Sequence, residues 1–215
     1  MEASVKILAE TQAPAEGKKN AERKELAEDR GEVQFTKSGI SGIPVFQVSR
    51  YAVRALDEGR QVEARLNLFP RLGERELKEY FASRLEAGGY KKGEQFLTGL
   101  FPGKMSLCLL ERAGIAKNKR AEDWTGEELD RLLGQIRDFR TEIVSGGSFE
   151  QAQVCSGGVD TREICPETME SRLVPGLFFA GEVVDIDGAC GGYNLQWAWS
   201  SGYTAGRSAA KGGTE

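Results

Sequence analysis

Residues 177–206, LFFAGEVVDIDGACGGYNLQWAWSSGYTAG, carry the most informative pattern in the chain. Residues 177–180 are an uninterrupted apolar run set up by Pro175-Gly176, the pattern of a parallel strand covered on both faces. Gly181 and Glu182 then fall at the carboxyl end of that strand, where open α/β sheets place their ligands. Asn194 has the short side chain of a helix cap, which predicts a helix from there onward. Ala198, Gly202, Ala205 and Ala209 give that helix a narrow face for close packing. Its start aims free N–H groups, and about half a positive charge, at whatever lies over Gly191 and Gly192. These glycines carry no Cβ to hold off a flat ring, and an acid at the strand end can accept hydrogen bonds from hydroxyl groups. On residues alone, the unit reads either as a cradle for a ligand with hydroxyls at one end and negative charge at the other, or as an ordinary strand–turn–helix with glycines in its turn.

Outward from this unit the chain changes character. Residues 61–69 alternate, with Val62, Ala64, Leu66 and Leu68 on one side and Glu63, Arg65 and Asn67 on the other, predicting a strand with one wet face. The sequence SGISGIPVFQVSRYAVRAL opens a helix that Ser41 or Gly42 can cap and that Pro44 suits in its first turn. Val45, Val48, Ala52 and Leu56 form its apolar face, and Gly59 stops it. Residues 74–140 read as helical. Leu77, Phe81 and Leu85 make one stripe, a second helix covers residues 104–113, and Thr125 with Glu128 forms a capping box before Leu129, Leu132, Leu133, Ile136 and Phe139. Residues 143–155 return to strand, and EGKKNAERKELAEDRGE near the start reads as a solvated loop. The fold class is α+β.

Composition narrows the chemistry. With 29 basic and 33 acidic residues the net charge is −4, both signs interspersed, which supplies no footprint for nucleic acid or an anionic membrane. No apolar run reaches the ~18–20 residues that span a bilayer. There is no histidine, which removes the Ser–His triad and most catalytic zinc sites, so any catalysis would reside in a cofactor. Cys108, Cys155, Cys165 and Cys190 form no CxxC pair and fit a reducing cytoplasm.

Three segments carry a family resemblance. PGLFFAGEVVDIDGACGGYNLQWAWSSGYTAG resembles the C-terminal signature of the bacterial aminoacetone-oxidase-like FAD-dependent oxidoreductases. FEQAQVCSGGVDTREICPETMES resembles the segment upstream of it, and GEVQFTKSGISGIPVFQVSR the signature of an inserted domain. The resemblance implies that residues 1–70 and 141–155 form the β-barrel part of an inserted domain and residues 71–140 its helical subdomain. Residues 156–215 would be the strand–loop–helix end of a Rossmann-like FAD-binding domain. It implies that Glu182, beside Gly181, binds the ribityl chain. Gly191, Gly192, Tyr193, Asn194 and Leu195 would lie along the pyrimidine edge of the flavin, while Ser156, Gly157, Gly158 and Val159 approach from the other crossover. The activity implied is flavin-mediated hydride or electron transfer on a small organic substrate such as an amine.

No G-x-G-x-x-G turn occurs in the 215 residues. On this reading the chain is the C-terminal half of such a flavoprotein, its partner is the N-terminal half of the FAD domain, and alone it holds FAD weakly or not at all. The alternative is a non-enzymatic module that docks a substrate or partner. Cys155 and Cys190 would come near the flavin, but without a CxxC spacing they read as buried free thiols rather than a redox pair. Tyr193 is the acid–base candidate of the cradle, with Glu182, Asp185 and Asp187 as neighbouring carboxylates; a packed ring and turn-forming aspartates are the preferred reading.

Overall fold

Residues 2–10 alternate apolar side chains with small or polar ones, and Glu2–Glu10 forms strand β1, burying Ala3, Val5, Ile7 and Ala9 on one face. The computed structural model describes residues 1–11, 22–37, 39–147, 150, 152 and 154–212. These separate into two units, Met1–Gly146 and Gly147–Glu215.

In the first unit β1 pairs antiparallel with β2 (Arg23–Glu32) on one edge and with β5 (Val62–Asn67) on the other. β6 (Phe139–Ile143) extends the sheet beyond β5, giving the order β2-β1-β5-β6. β3 (Gln34–Phe35) and β4 (Ile40–Ser41) form a separate small hairpin. The expected barrel is corrected here: among the described residues the sheet is open, with β2 and β6 as its edges. Closure would need those edges to pair, and β2, written RKELAEDRGE, presents the charged side chains that blunt an edge.

The charged stretch read as a solvated loop is therefore a strand from Arg23 onward; residues 12–21 lie outside the described ones. Pairing with β1 supplies what periodicity lacks. Lys6 bonds Glu25 at 3.1 Å and Glu28 at 2.9 Å, and Arg30 bonds Glu2 at 2.9 Å. The alternation of β5 holds, with Val62, Ala64 and Leu66 buried. Its wet face is less wet than its charges suggest. Glu63 is only 8% exposed because Arg23 and Arg65 both close on its carboxylate. The strand predicted over residues 143–155 instead ends at Ile143, and Phe139 sits on β6 rather than on the preceding helix. Residues 148, 149, 151 and 153 lie outside the described ones.

Helix α1 (Ile43–Asp57) lies against β1, β2 and β5, with Pro44 in its first turn and Val48, Ala52 and Ala55 buried. Its N-cap Gly42, at φ 115°, is fixed by steric space: an added Cβ would stand 2.2 Å from the carbonyl oxygen of Glu32. Helices α2 (Glu74–Gly88), α3 (Gly93–Phe96), α4 (Gly103–Ala113) and α5 (Gly126–Arg137) complete the same continuous core. The capping box forms as read: the Thr125 hydroxyl accepts from the Glu128 N–H at 3.2 Å, and Glu128 accepts from the Thr125 N–H at 2.8 Å. Glu128 also takes an ion pair from Lys119 at 2.7 Å. Aromatic edges fill the space among the helices, Phe81 to Phe96 at 6.2 Å and Phe96 to Trp124 at 5.1 Å.

Candidate functional site

The second unit is built on turns rather than on a sheet, and its described residues bury few apolar side chains: Ile164, Met169, Val184 and Ala205. Residues 177–180 do not form the expected parallel strand. Phe178 makes an antiparallel bridge to Glu170, the Phe179 N–H donates to the Met169 carbonyl at 3.0 Å, and Leu177 is 41% exposed. A buried parallel strand needs neighbours along both edges, and the described residues of this unit give residues 177–180 one bridge. The parallel contact lies elsewhere. Val159 bridges Val184, with the Val159 N–H donating to the Val183 carbonyl at 2.8 Å and the Asp185 N–H donating to the Val159 carbonyl at 3.0 Å.

That bridge brings the two predicted crossovers together. Gly158, at φ 153°, lies so close to the facing backbone that an added Cβ would stand 2.5 Å from the Val183 carbonyl oxygen. Just before the bridge partner Val184, Gly181–Val183 forms a 3-10 turn that carries Glu182 on an exposed surface. The Glu182 carboxylate accepts the Cys155 N–H at 2.8 Å, and the Ser156 hydroxyl donates to Asp187 at 3.3 Å. Loop 154–159 and the acid thus meet.

The third part is helix α6 (Tyr193–Gly212). Its first intrahelical bond runs from the Gln196 N–H to the Gly192 carbonyl at 3.0 Å. Asn194 reaches back instead of capping: its Oδ1 accepts the Gly188 N–H at 2.7 Å, and its Nδ2 donates to the Gly188 carbonyl at 3.3 Å. This closes a loop around Gly191 and Gly192, which adopt φ 125° and 94°, conformations that favour glycine. Space above both is open, since an added Cβ at either would meet nothing within 4 Å. Tyr193 and Leu195 are 65% and 60% exposed, so the packed Tyr193 ring is corrected to an exposed one.

The buried face of α6 is only partly the one read from the sequence: Ala205 is buried and Ala198 half-buried. Ser201 and Ala205 are buried beside half-buried Trp197, whereas Gly202 and Ala209 are exposed. The stripe of small residues masks Trp197 and Ser201, whose only signal in the sequence is their four-residue spacing with Ala205. Trp197 Nε1 donates to the Gly181 carbonyl at 3.0 Å, and the Ser201 hydroxyl accepts the Gly181 N–H at 2.9 Å. Helix α6 therefore holds the turn that carries Glu182. Cys155 and Cys190, expected buried, are exposed, and among the described residues no cysteine forms a disulfide.

Next to Val159, the Arg162 guanidinium and the Arg162 N–H hold the Asp160 carboxyl down to about 2. A folded value below the ordinary carboxylate value means that this contact favours folding above the unfolded value and is lost as pH falls toward 2. Side-chain NMR should place the Asp160 midpoint near 2 and find it closer to the ordinary value in Arg162→Gln.

A cavity of about 760 Å³ in this unit lies away from Glu182, between the 167–178 hairpin and the C-terminal half of α6. Phe178, Tyr203 and Arg207 are among its lining residues. Glu182, Gly191, Gly192 and Tyr193 are all exposed and do not line it.

A family described as the HI0933-like protein Rossmann domain matches residues 7–208. The chain belongs to this family. Among curated relatives, a 3-dehydro-bile acid delta(4,6)-reductase of Clostridium scindens is 43% identical over 189 residues, 88% of this chain and 46% of its own length. Ribosomal RNA dihydrouridine synthases of Escherichia coli and Haemophilus influenzae are 32% and 33% identical over 81% and 79% of this chain. The aligned residues make up 41% and 40% of those proteins. This HI0933-like chain spans about half the length of the curated relatives it matches. The family match shows a Rossmann-like domain. Among its described residues no helix is long and apolar enough to cross a membrane.

Proposed function

We propose that this chain supplies the ring-facing wall of an FAD site in an oxidoreductase that adds hydrogen across a double bond of an organic substrate. The observation that carries the reading is that loop 154–159 meets Glu182 and that α6, through Trp197 and Ser201, holds the Gly181 turn that carries this acid. Glu182 accepts hydrogen bonds from ribityl hydroxyls. The N–H groups of the first turn of α6, beyond Gly191 and Gly192, hold negative charge at a pyrimidine edge. Gly158 and Val159 flank the ring from the other crossover, and Tyr193, Asn194 and Leu195 border it. Bound flavin supplies the hydride chemistry that a chain without histidine lacks.

The direction of the reaction draws its support from relatives. A delta(4,6)-reductase and two dihydrouridine synthases carry names that share the addition of two hydrogens to a double bond. That favours double-bond reduction over amine oxidation in the aminoacetone-oxidase manner. It also brings RNA back among the substrates, against the expectation from net charge. In the same reading residues 1–70 and 141–155, with the helical subdomain 71–140, are an inserted substrate-side domain, and residues 156–215 end the FAD domain. The adenosine diphosphate end of FAD, with no G-x-G-x-x-G turn in the 215 residues, falls to an N-terminal FAD-domain segment. The compartment is the cytoplasm, where exposed thiols stay reduced.

Riboflavin, which has the ring and the ribityl chain without the nucleotide, tests the site. Glu182→Gln should weaken its binding about 10-fold or more, from the ~1.5–3 kcal/mol of a charged hydrogen bond, as read by flavin fluorescence. Equal affinity in both proteins overturns the assignment of Glu182. Absence of binding to the wild-type chain, with or without an added G-x-G-x-x-G segment, returns the docking module instead.

A further inference from the structure

We infer that Trp197 and Ser201 are positioning residues: helix α6 grips the Gly181 peptide by both of its polar groups and so sets where the Glu182 carboxylate stands. The functional meaning rests on the flavin reading, but the grip stands on geometry alone. Gly181 sits at φ 74° in a turn outside any strand, so no ladder fixes it. Its N–H reaches Ser201 Oγ at 2.9 Å and its carbonyl receives Trp197 Nε1–H at 3.0 Å.

The direction of the serine bond is determined. Ser201 Oγ lies 2.6 Å from the Trp197 carbonyl and 3.3 Å from the Ala198 carbonyl, both acceptors only. The hydroxyl proton therefore points back along the helix, and a lone pair is left for the Gly181 N–H. Such back-bonding slightly weakens a helix, and alanine at this 2% exposed position would favour α6 more. The serine is accounted for by the peptide it receives.

The grip reaches further than the turn itself. Glu182, the next residue, holds the Cys155 N–H at 2.8 Å, so its carboxylate ties loop 154–159, which Val159 also bridges to residues 183–185, to the turn that α6 grips. The grip thus fixes two of the three segments of the candidate site relative to the helix start.

The test uses the full chain and two-dimensional NMR, with the Cys155 amide proton as reporter, because a hydrogen bond to a carboxylate displaces its shift downfield. Glu182→Ala defines complete loss of that displacement. Ser201→Ala and Trp197→Phe should each remove at least half of it and raise Gly181 amide exchange at least 10-fold. Ser201→Thr, which keeps the hydroxyl, should restore both. If Gly181 loses protection in Ser201→Ala and Trp197→Phe while the Cys155 shift stays at its wild-type value, the grip is local and the inference falls. Unchanged Gly181 exchange also overturns it. Riboflavin titration of the same proteins reads the flavin assignment separately: wild-type binding that weakens in step with the Cys155 shift supports both, whereas a coupled Cys155 shift without riboflavin binding keeps the grip and rejects the flavin.

Discussion

Phe81→Ala should lower the unfolding free energy of the Met1–Gly146 unit by about 3–5 kcal/mol, the usual cost of emptying a phenyl site in a packed core. Phe81 is 0% exposed, lies edge-on to Tyr80 at 5.8 Å and packs on Phe96 at 6.2 Å. Phe96 carries the contact onward to Trp124, so the vacated volume borders side chains from α2, α3 and the loop before α5. Backbone bonds hold these elements apart. Gly93 and Ala121 donate N–H groups to the Lys119 and Lys91 carbonyls at 3.0 and 2.9 Å, and Arg84 holds the Phe96 carbonyl at 2.7 Å. The site cannot collapse readily, which places the cost at the upper end. Against the ~5–15 kcal/mol that stabilises an ordinary domain, this is a large share. Urea unfolding followed by far-UV circular dichroism measures it. Phe81→Leu, which keeps much of the volume, should cost less than half as much, and a loss under ~1 kcal/mol for the alanine variant would contradict this packing.

Gly158→Ala should act next most strongly, with its effect confined to the Gly147–Glu215 unit. A β-carbon there would lie 2.5 Å from the Val183 carbonyl oxygen and 2.9 Å from the Asp185 nitrogen, both backbone atoms that cannot rotate away. The Val159–Val184 bridge must part, and a strained backbone of this kind costs about 1–3 kcal/mol. Amide exchange at Val159 and Asp185, whose N–H groups make the bridge, should quicken ~10- to 100-fold, and riboflavin affinity should fall with it. Gly157, with no atom within 4 Å of its β-carbon position, is the control for backbone conformation at neighbouring positive φ.

Helices were legible wherever a cap or stop sits beside an apolar stripe. Pro44 and Gly59 bracket α1, Gly114 ends α4 in the left-handed conformation, and Thr125 with Glu128 opens α5. Those signals act within one or two turns of chain, so sequence carries them. β2 was not legible because its stability comes from partners about twenty or more residues away, Lys6 and Glu2, rather than from its own periodicity. The barrel failed for a related reason: alternation specifies that a strand has two faces but not whether the two edges of its sheet meet. At the site, Glu182 and the 191–195 loop were singled out as residue types expected at a strand end and a helix start, and Gly158 and Val159 came only from the family resemblance. The contacts that organise them were not legible. Asn194 binds Gly188 rather than capping α6, and the buried face of α6 keeps Ala205 and half-buried Ala198 but takes Trp197 and Ser201 in place of exposed Gly202 and Ala209. A stripe of small residues and a stripe of Trp, Ser and Ala are both acceptable helix faces, and the Gly181 peptide decides between them.

Residue-resolved amide mapping of the full chain on addition of FAD is the sharpest test of the flavin wall. Shifts should be confined to residues 154–159, 181–188 and 191–196, with α2 to α5 unmoved. Shifts confined to the Met1–Gly146 unit, or none at saturating FAD, would contradict it.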